Sequence, residues 1–353
     1  MWRSGRICVS ASPCASLIFL AVSRTFSVSC RVPGGDDGCC RLDLDSAVAP
    51  YGRGSTGCRE VAETQTVLVT GGTGYTGRRL LHRLRGCGAH VRVLARSTSD
   101  LAGMPEHVEI IQGDLEEPDS LVSALGGVRY VYHLAHVRFT ANLLRSLTTD
   151  VEHVVIVSSL RALSRVPSAT VDQVLQGESA AITPGPATSA SWTILRPSMI
   201  FGDGDDRNIS RLVDRVRRRA LIPAVGRARL HQPVYVEDVL DAVLACPTNS
   251  RARGQTYAIA GARPLTWDEL VSTIGHLVGE RPRTVPVPAA AAASVLGLIE
   301  ALGLTLPVRA EQVRRMLEDK AFDIEPARRD LGFSPLSFGD ALQRILATEE
   351  GHP

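Results

Sequence analysis

Residues 66–77 read Thr66-Val67-Leu68-Val69-Thr70-Gly71-Gly72-Thr73-Gly74-Tyr75-Thr76-Gly77. A short β-branched, apolar run passes into a turn with glycines at 71, 74 and 77, and a pattern of helical period begins at Arg78. This order predicts a buried strand, a tight turn and a helix whose first N–H groups carry partial positive charge. Such a turn suits a pyrophosphate, so the sequence predicts dinucleotide binding. The candidate cofactor-binding residues of the turn are Gly71, Thr73, Gly74, Tyr75, Thr76 and Gly77.

The composition permits a large hydrophobic core. The chain has 353 residues, 44% of them hydrophobic, which suits one two-lobed domain or two small ones. The formal net charge of +2 gives no electrostatic reason to expect a nucleic-acid partner. Lys320 is the only lysine, so no other side chain could supply a catalytic lysine ammonium group.

Cysteine and histidine placement bears on compartment and metals. Six of the eight cysteines precede residue 62, and no two cysteines form a Cys-x-x-Cys pair. We therefore expect a cytoplasmic protein whose folded part is reduced and has no disulfide framework. His133 and His136 lack a nearby third ligand, so we predict no metal site.

Residues 1–62 lack the periodic pattern of the later chain. Arg3 and Arg6 precede a short apolar run, and no acidic residue occurs before Asp36. Three interpretations stay open: a secretory signal, a mitochondrial presequence, and a disordered extension or a misassigned start with the product beginning near Val61. We favour the third.

From Thr66 onward, predicted strands and helices alternate. After the first strand, strands are predicted at residues 90–95, 108–111, 128–134, 153–157 and 191–195. The alternation predicts an α/β fold, a doubly wound parallel Rossmann sheet, over residues 63–202. Residues 203–349 are predicted to form a smaller C-terminal α+β substrate-binding lobe, with parts of 230–260 returning to the sheet.

Several local patterns mark this second lobe. Helices are predicted at residues 207–219 and 237–245, and strands at 232–236 and 256–259. Thr266 and Glu269 have the spacing of a helix capping box. The apolar segment 289–304 is shorter than the ~20 residues that cross a bilayer and contains Glu300, so we predict no stable membrane span. A helix lying on a membrane surface is the alternative.

The glycine turn resembles the TGxxGxxG motif of the short-chain dehydrogenase/reductase superfamily, in its extended and atypical branches. Residues 192–202, 206–212, 232–239 and 330–335 are similar to segments of atypical, NAD-dependent epimerase/dehydratase-like members. The resemblance covers about residues 65–348. It implies an NAD(P)-binding Rossmann protein that acts as an oxidoreductase or epimerase on a small molecule, and it does not indicate which one.

The end of the second strand bears on which nucleotide is bound. In NAD-specific folds an acidic residue at this place holds the adenosine ribose. Here the place is occupied by Arg96 and two hydroxyl residues, and no Asp or Glu occurs between Gly77 and Asp100. A guanidinium would bind a 2′-phosphate, so we predict a preference for NADP(H), with NAD(H) possible. The alternative is that Arg96 is simply a solvated loop residue.

The resemblance implies further cofactor contacts. Asp114, followed by Leu115, corresponds to the carboxylate that accepts from the adenine amino group. Leu134 and Ala135 correspond to residues along the diphosphate and the nicotinamide ribose, and Pro197 to a proline that packs near the nicotinamide.

The catalytic pair of the superfamily is absent. Working members usually carry Tyr-x-x-x-Lys on the helix after the fifth strand, but no tyrosine occurs here between Tyr132 and Tyr235. If Glu178 matches an acidic residue of that helix, Thr170 and Val174 stand at the tyrosine and lysine positions. Neither side chain can perform the acid–base chemistry of that pair.

Two classes of function therefore remain open. In the first, an enzyme uses a substitute proton carrier, and Arg207 or Arg211 anchors an anionic substrate. The candidate carriers are Ser158, Ser159 and His136, and then Asp203, Asp205 and Asp206. In the second, these serines and aspartates only cap strands and helices, and the domain holds NADP(H) without chemistry. The superfamily's redox-sensing regulators and its accessory subunit of respiratory complex I exemplify this class, which implies a protein partner. We favour the enzyme.

Overall fold

A seven-stranded parallel sheet forms the centre of the protein. The computed structural model describes residues 65–183, 190–203, 206, 208–288, 290, 294, 296 and 310–350. The strands are β1 (Thr66–Thr70), β2 (His90–Ala95), β3 (Val108–Gln112), β4 (Val128–His133), β5 (His153–Val157), β6 (Ser191–Pro197), β7 (Ile200–Phe201), β8 (Leu221–Ala224), β9 (Leu230–His231), β10 (Val234–Tyr235), β11 (Gln255–Ile259), β12 (Leu265–Thr266) and β13 (Arg283–Pro286). The helices are α1 (Tyr75–Arg85), α2 (Val122–Leu125), α3 (Thr140–Arg145), α4 (Ala169–Ile182), α5 (Ile209–Arg217), α6 (Val236–Ala245), α7 (Trp267–Val278), α8 (Ala310–Met316), α9 (Glu325–Leu331) and α10 (Phe338–Glu350).

The strand order of the main sheet is β11-β6-β5-β4-β1-β2-β3, and all of its neighbouring pairs are parallel. The predicted doubly wound α/β sheet is therefore confirmed. The chain moves outward from β1 through β2 and β3 on one side and through β4, β5 and β6 on the other. The order reverses between β1 and β4, and a ligand crevice opens at the carboxyl ends of the strands at such a point.

The hydrophobic core covers both faces of this sheet. Val67, Leu68 and Val69 of β1 are all 0% exposed. Because successive side chains of a strand point to opposite faces, Val67 and Val69 join a cluster with Leu80 of α1, whereas Leu68 joins a cluster with Val154 of β5. Burial on both faces is why β1 is a continuous apolar run rather than an alternating one.

The later part of the chain packs around a third cluster. Helices α5, α7 and α10 surround Phe201, and three two-stranded sheets join β10 to β7, β12 to β9 and β13 to β8. The strand predicted at residues 232–236 shortens to Val234–Tyr235, since Pro233 has no N–H to donate and α6 begins at Val236.

Most other predicted bounds agree within two residues. The predicted capping box is present, because Thr266 and Glu269 exchange side chain-to-backbone hydrogen bonds of 2.7 and 3.2 Å. The helix predicted at residues 207–219 is shorter and runs from Ile209 to Arg217.

Two sequence predictions fall partly or wholly outside the described residues. Residues 1–62 lie outside them, as does most of the apolar segment 289–304. Within the described part of the chain, none of the helices has the length and apolar character needed to cross a bilayer. Cys246 is a free, buried thiol.

Candidate functional site

The glycine turn packs directly against the end of β4. Gly71 has a φ of +73°, and a Cβ at this position would lie 2.5 Å from the backbone nitrogen of Ala135. A Cβ at Gly77 would lie 2.1 Å from the carbonyl oxygen of Gly71. Both positions therefore need glycine, because the backbone of the turn contacts other backbone on both sides.

The first turn of α1 is open to an anion. Gly74 precedes the helix and supplies no side-chain cap, and the first turn contains no acidic residue. The free N–H groups at this end carry the positive end of the helix dipole. The carbonyl oxygen of Thr73 accepts a hydrogen bond from Arg78 Nε at 3.1 Å, and this bond stabilises the turn. Thr76 lies half-buried within the first turn.

The side chain of Tyr75 packs away from the turn. Its hydroxyl is buried and has no hydrogen-bond partner among the described residues. A Cβ at Gly202 would lie 2.1 Å from that hydroxyl, and the guanidinium of Arg79 lies 4.5 Å from the ring centroid. Burial, opposed by the charge of Arg79, raises the pKa of Tyr75 above its ordinary value. Only the backbone of Tyr75 therefore belongs to the anion-binding turn.

The loop after β2 presents Arg96 to solvent. Within the described chain the Arg96 guanidinium has neither a hydrogen bond nor an ion pair, whereas its backbone N–H donates to Ser99 Oγ at 3.1 Å. Arg78 ties the end of this loop to the glycine turn, because its Nη2 donates to the carbonyl oxygen of Asp100 at 2.9 Å. An unpaired guanidinium at this place is available to a 2′-phosphate.

The loop after β3 holds the carboxylate of Asp114 beside the same edge of the sheet. One carboxylate oxygen accepts from the backbone N–H of Glu116 at 2.9 Å. Leu115 is buried in the core, so its side chain supports the loop. The second carboxylate oxygen of Asp114 makes no hydrogen bond within the described residues and can accept from a ligand.

Two histidines at the end of β4 differ in burial: His133 is buried and His136 is exposed. His133 is 0% exposed, its Nδ1 lies 2.7 Å from Thr70 Oγ1, and burial lowers its pKa to about 4. His136 is exposed, and its Nδ1 accepts from the backbone N–H of Arg138 at 3.2 Å. Partial desolvation, then the charges of Arg138 and Arg161, lower the pKa of His136. Leu134 and Ala135 lie between the two, half-buried against the glycine turn.

A buried ion pair lies behind the end of β5. Glu178 of α4 is 2% exposed, and its carboxylate accepts from Ser158 Oγ at 2.5 Å and from Arg196 Nη2 at 2.5 Å. Arg196 Nε adds a second contact at 2.9 Å, so one carboxylate joins β5, α4 and β6. Pro197, the next residue of β6, pairs with Ile259 of β11.

Sequence reasoning used Glu178 only to set a register and did not single out Arg196. A signal for the pair was present, since Glu178 shares the buried stripe of α4 with Val171, Val174 and Ala181. A carboxylate at such a position needs a charged partner.

Ser159, Thr170 and Val174 take no part in this ion pair. Ser159 Oγ accepts from the backbone N–H of Arg161 at 3.2 Å and caps the short 3-10 helix Leu160–Leu163. Val174 is buried in the core and Thr170 is half-buried, so α4 presents no phenol or ammonium group in the register of the family pair.

Of the aspartates that follow β7, Asp206 caps the start of α5. Asp206 accepts from the backbone N–H groups of Asn208, Ile209 and Ser210 at 2.7–3.2 Å. Asp203 forms an ion pair with Arg79. The geometry favours the capping alternative for Asp206 over a catalytic one. Arg211 is exposed on α5, and Asp205 and Arg207 lie outside the described residues.

Comparisons with known proteins show which families, relatives and solved structures the chain is similar to. The profile of an NAD(P)H-binding family matches residues 71–221, and that of the 3-beta hydroxysteroid dehydrogenase/isomerase family matches residues 174–288. The 2-alkyl-3-oxoalkanoate reductase of Shewanella oneidensis is 25% identical, over 89% of this chain and 93% of that protein. The Bordetella bronchiseptica enzyme WbmF, solved in complex with NAD+, superposes with a TM-score of 0.64 at 19% identity, over 83% of this chain and 94% of that one. These matches support the predicted resemblance to the short-chain dehydrogenase/reductase superfamily.

The matches also bear on function. They support an NAD(P)-dependent, oxidoreductase- or epimerase-like function with a nicotinamide nucleotide as the cofactor. A further relative, subunit 9 of the NADH dehydrogenase [ubiquinone] 1 alpha subcomplex of Arabidopsis thaliana, is 26% identical over 74% of this chain and 70% of that protein. The chain is therefore similar both to relatives with enzyme names and to relatives that are named as a subunit.

Proposed function

We propose that the protein is a cytoplasmic, NADP(H)-preferring oxidoreductase that acts on a carbonyl or hydroxyl group of a small molecule. The observation that carries the proposal is the glycine turn, where Gly71 and Gly77 admit close backbone and α1 offers uncapped N–H groups beside β4. This cradle fits a pyrophosphate. Bound there, the nicotinamide nucleotide supplies or accepts a hydride.

The unpaired guanidinium of Arg96 supports the preference for NADP(H). It lies at the end of β2 with no carboxylate paired to it in the described chain. Arg78 holds the same loop through the carbonyl oxygen of Asp100. A 2′-phosphate would therefore meet an available cation on a fixed loop, whereas the ribose of NADH would meet no carboxylate.

His136 is the residue best placed to contact the substrate oxygen. Because its Nδ1 accepts from a backbone N–H, the ring proton of the neutral form resides on Nε2. The lowered pKa keeps the imidazole neutral at pH 7. A neutral Nε2–H at the crevice can donate to a carbonyl oxygen and stabilise the negative charge that develops on it.

Ser158 has a different role in the proposal. Its hydroxyl proton already points to Glu178, so the serine oxygen offers only lone pairs to a ligand. It can orient a substrate hydroxyl by accepting from it. Glu178 and Arg196 act through Ser158 and fix its orientation, and they are positioning residues in this scheme.

A non-catalytic function is the second candidate. In the register that Glu178 suggests, Thr170 and Val174 stand at the positions of the usual tyrosine and lysine, and Ser159 caps a short helix. In that case the domain binds the nucleotide without chemistry, and a protein partner responds to the state of the bound nucleotide. The relative named as a subunit of NADH dehydrogenase favours keeping this possibility.

The test combines binding with turnover on the full chain. NADPH and NADH are titrated by calorimetry, and NADPH oxidation is then followed against quinones, keto compounds and nucleotide sugars. Turnover that falls at least about tenfold in His136→Ala supports the enzyme, since one charge-stabilising donor is worth roughly that much or more. Binding without turnover on any substrate, with a partner recovered by pull-down, favours the second candidate.

A further inference from the structure

Two aromatic side chains in the later part of the chain carry buried nitrogen atoms without hydrogen-bond partners. His231 of β9 is 6% exposed, and its Nε2 is shielded from solvent and makes no hydrogen bond among the described residues. Trp267 is the first residue of α7, and its Nε1 is likewise shielded and unpartnered within the described chain. The two rings are neighbours, with centroids 5.6 Å apart and planes tilted by 60°. Because buried polar atoms are nearly always hydrogen-bonded, this pair indicates a place for a polar group from outside the chain.

Backbone pairing holds the two rings side by side. Strands β9 and β12 are antiparallel, with His231 opposite Leu265 and Leu230 opposite Thr266. Trp267 follows Thr266 directly, and the capping box of Thr266 fixes the start of α7. The positions of the two nitrogen-bearing rings are therefore set by the fold.

The chain beside His231 is bonded to the crevice edge of the main sheet. The carbonyl oxygen of the next residue, Gln232, accepts from Ser198 Oγ at 2.5 Å, and the side-chain amide of Gln232 donates to the carbonyl oxygen of Gly261 at 2.7 Å. Ser198 follows β6 and Gly261 comes shortly after β11, so both lie at the carboxyl ends of parallel strands. This is the edge at which the crevice opens.

The chemistry of the two rings suits an uncharged group. Burial, followed by the charge of Lys320, lowers the pKa of His231 to about 4, with Asp319 opposing, so the imidazole is neutral at pH 7. The indole N–H only donates, whereas the imidazole Nε2 donates in one tautomer and accepts in the other. A hydroxyl group can accept from the indole and either donate to or accept from the imidazole. It therefore satisfies both nitrogens in either tautomer.

We propose that His231 Nε2 and Trp267 Nε1 together bind an uncharged hydroxyl group of the substrate. This inference rests on the proposed function, because it adds a binding subsite to the same crevice. Trp267 is only half-buried, so rotation of its ring opens a way from the surface to both nitrogens. The bound hydroxyl orients the substrate and takes no part in hydride transfer.

Nitrogen-15 NMR of the full chain saturated with NADP+ tests this subsite, because the indole N–H signal of Trp267 reports on its own hydrogen bond. The chain has three tryptophans, and Trp267→Phe identifies the signal by its loss. The probes are cyclohexanol and cyclohexanecarboxylate, which carry a hydroxyl group and a charged group on the same ring. We expect cyclohexanol to shift the Trp267 signal saturably, and cyclohexanecarboxylate to bind more weakly.

Two substitutions of His231 separate ligand binding from folding. His231→Phe keeps a ring but removes the unpartnered nitrogen, so cyclohexanol affinity should fall about fivefold, the loss typical of one neutral hydrogen bond, while the free energy of unfolding does not fall. His231→Gln keeps a hydrogen-bonding group and should retain more affinity than His231→Phe. The control is Trp192→Phe, near the start of β6, which should bind cyclohexanol like the unaltered protein.

Three results would overturn the subsite: a Trp267 signal that cyclohexanol does not move, equal cyclohexanol affinity in His231→Phe and the unaltered protein, or tighter binding of cyclohexanecarboxylate. A lower free energy of unfolding in His231→Phe would also count against it, since Nε2 would then be satisfied within the protein. NADP+ affinity should stay unaltered in His231→Phe. If NADP+ does not bind at all, the proposed function fails, and the same titration on nucleotide-free protein still tests His231 and Trp267.

Discussion

The hydroxyl of Ser158 lies 2.5 Å from Oε1 of Glu178 and donates its proton to that buried carboxylate. The bond joins the loop at the carboxyl end of β5 to the helix on which the superfamily's catalytic pair normally stands. Arg196 of β6 completes the arrangement with three hydrogen bonds to the same carboxylate. A buried ion pair therefore joins the loop after β5 to α4 and β6.

Removing Glu178 should destabilise the protein strongly. Glu178→Ala leaves Arg196 without its partner in a largely buried position, and breaking a buried pair from one side costs about 3–5 kcal/mol. Urea unfolding measures the change in the free energy of unfolding. The control is Glu349→Ala, because Glu349 pairs with Arg217 on the surface and such pairs are worth about 0–1 kcal/mol. Equal losses in the two variants would show that the Glu178 pair is not buried as described.

Arg96 should control the choice of nucleotide. Arg96→Gln removes the cation but keeps a polar side chain, so we expect NADPH affinity to fall by about 10- to 100-fold, the range for one charge-assisted contact. NADH affinity should change little. Calorimetry on both nucleotides gives the ratio, and Arg85→Gln, on the exposed end of α1, is the control. An unchanged ratio of NADPH affinity to NADH affinity in Arg96→Gln would show that Arg96 is a solvated residue that does not contact the nucleotide.

Tyr75 and Tyr257 should respond differently to loss of their hydroxyl groups. Tyr75→Phe removes a hydroxyl that has no partner in the described chain, so the unfolding free energy should stay within about 1 kcal/mol or rise. Tyr257→Phe removes a donor to the carbonyl oxygen of Arg251 at 3.1 Å and should cost about 1 kcal/mol or more. NADPH affinity should not change in Tyr75→Phe. Weakened binding there would place the hydroxyl in the cofactor site.

Acid should unfold the protein partly through its buried histidines. Burial, followed by the charge of Arg253, lowers the pKa of His153 from 6.5 to about 4. The unfolded chain then binds more protons than the folded one between these values, so stability is lost as the pH falls from about 6.5 to about 4. His153→Gln should reduce the slope of unfolding free energy against pH by about 1.4 kcal/mol per pH unit at most. An unaltered slope in His153→Gln would contradict the burial of this ring.

The fold could be predicted because local signals agreed with the tertiary structure. The apolar run of β1, the glycines at 71 and 77 and the spacing of the later strands all belong to elements whose period is visible in the sequence. The edge position of β11 and the two-residue strands were not foreseeable in detail. They depend on pairings between distant segments that no local pattern specifies.

The candidate site was predictable only in part. Gly71 and Arg96 take positions that the motif and its spacing indicate. The orientation of Ser158 depends on Glu178 and Arg196. Glu178 lies 20 residues from Ser158 in the sequence and Arg196 lies 18 residues from Glu178, so these side chains meet only in the folded protein. The contacts of Glu318 with Ser164 and Arg165 were likewise not visible, because 154 and 153 residues separate the partners in the sequence.

The most direct test of the account is a calorimetric titration of NADPH into the full chain, with folding verified by circular dichroism. The account predicts saturable binding of one NADPH per chain, and weaker binding of NADH. A folded protein that binds neither nucleotide would contradict the assignment of the glycine turn between β1 and α1 as a pyrophosphate cradle.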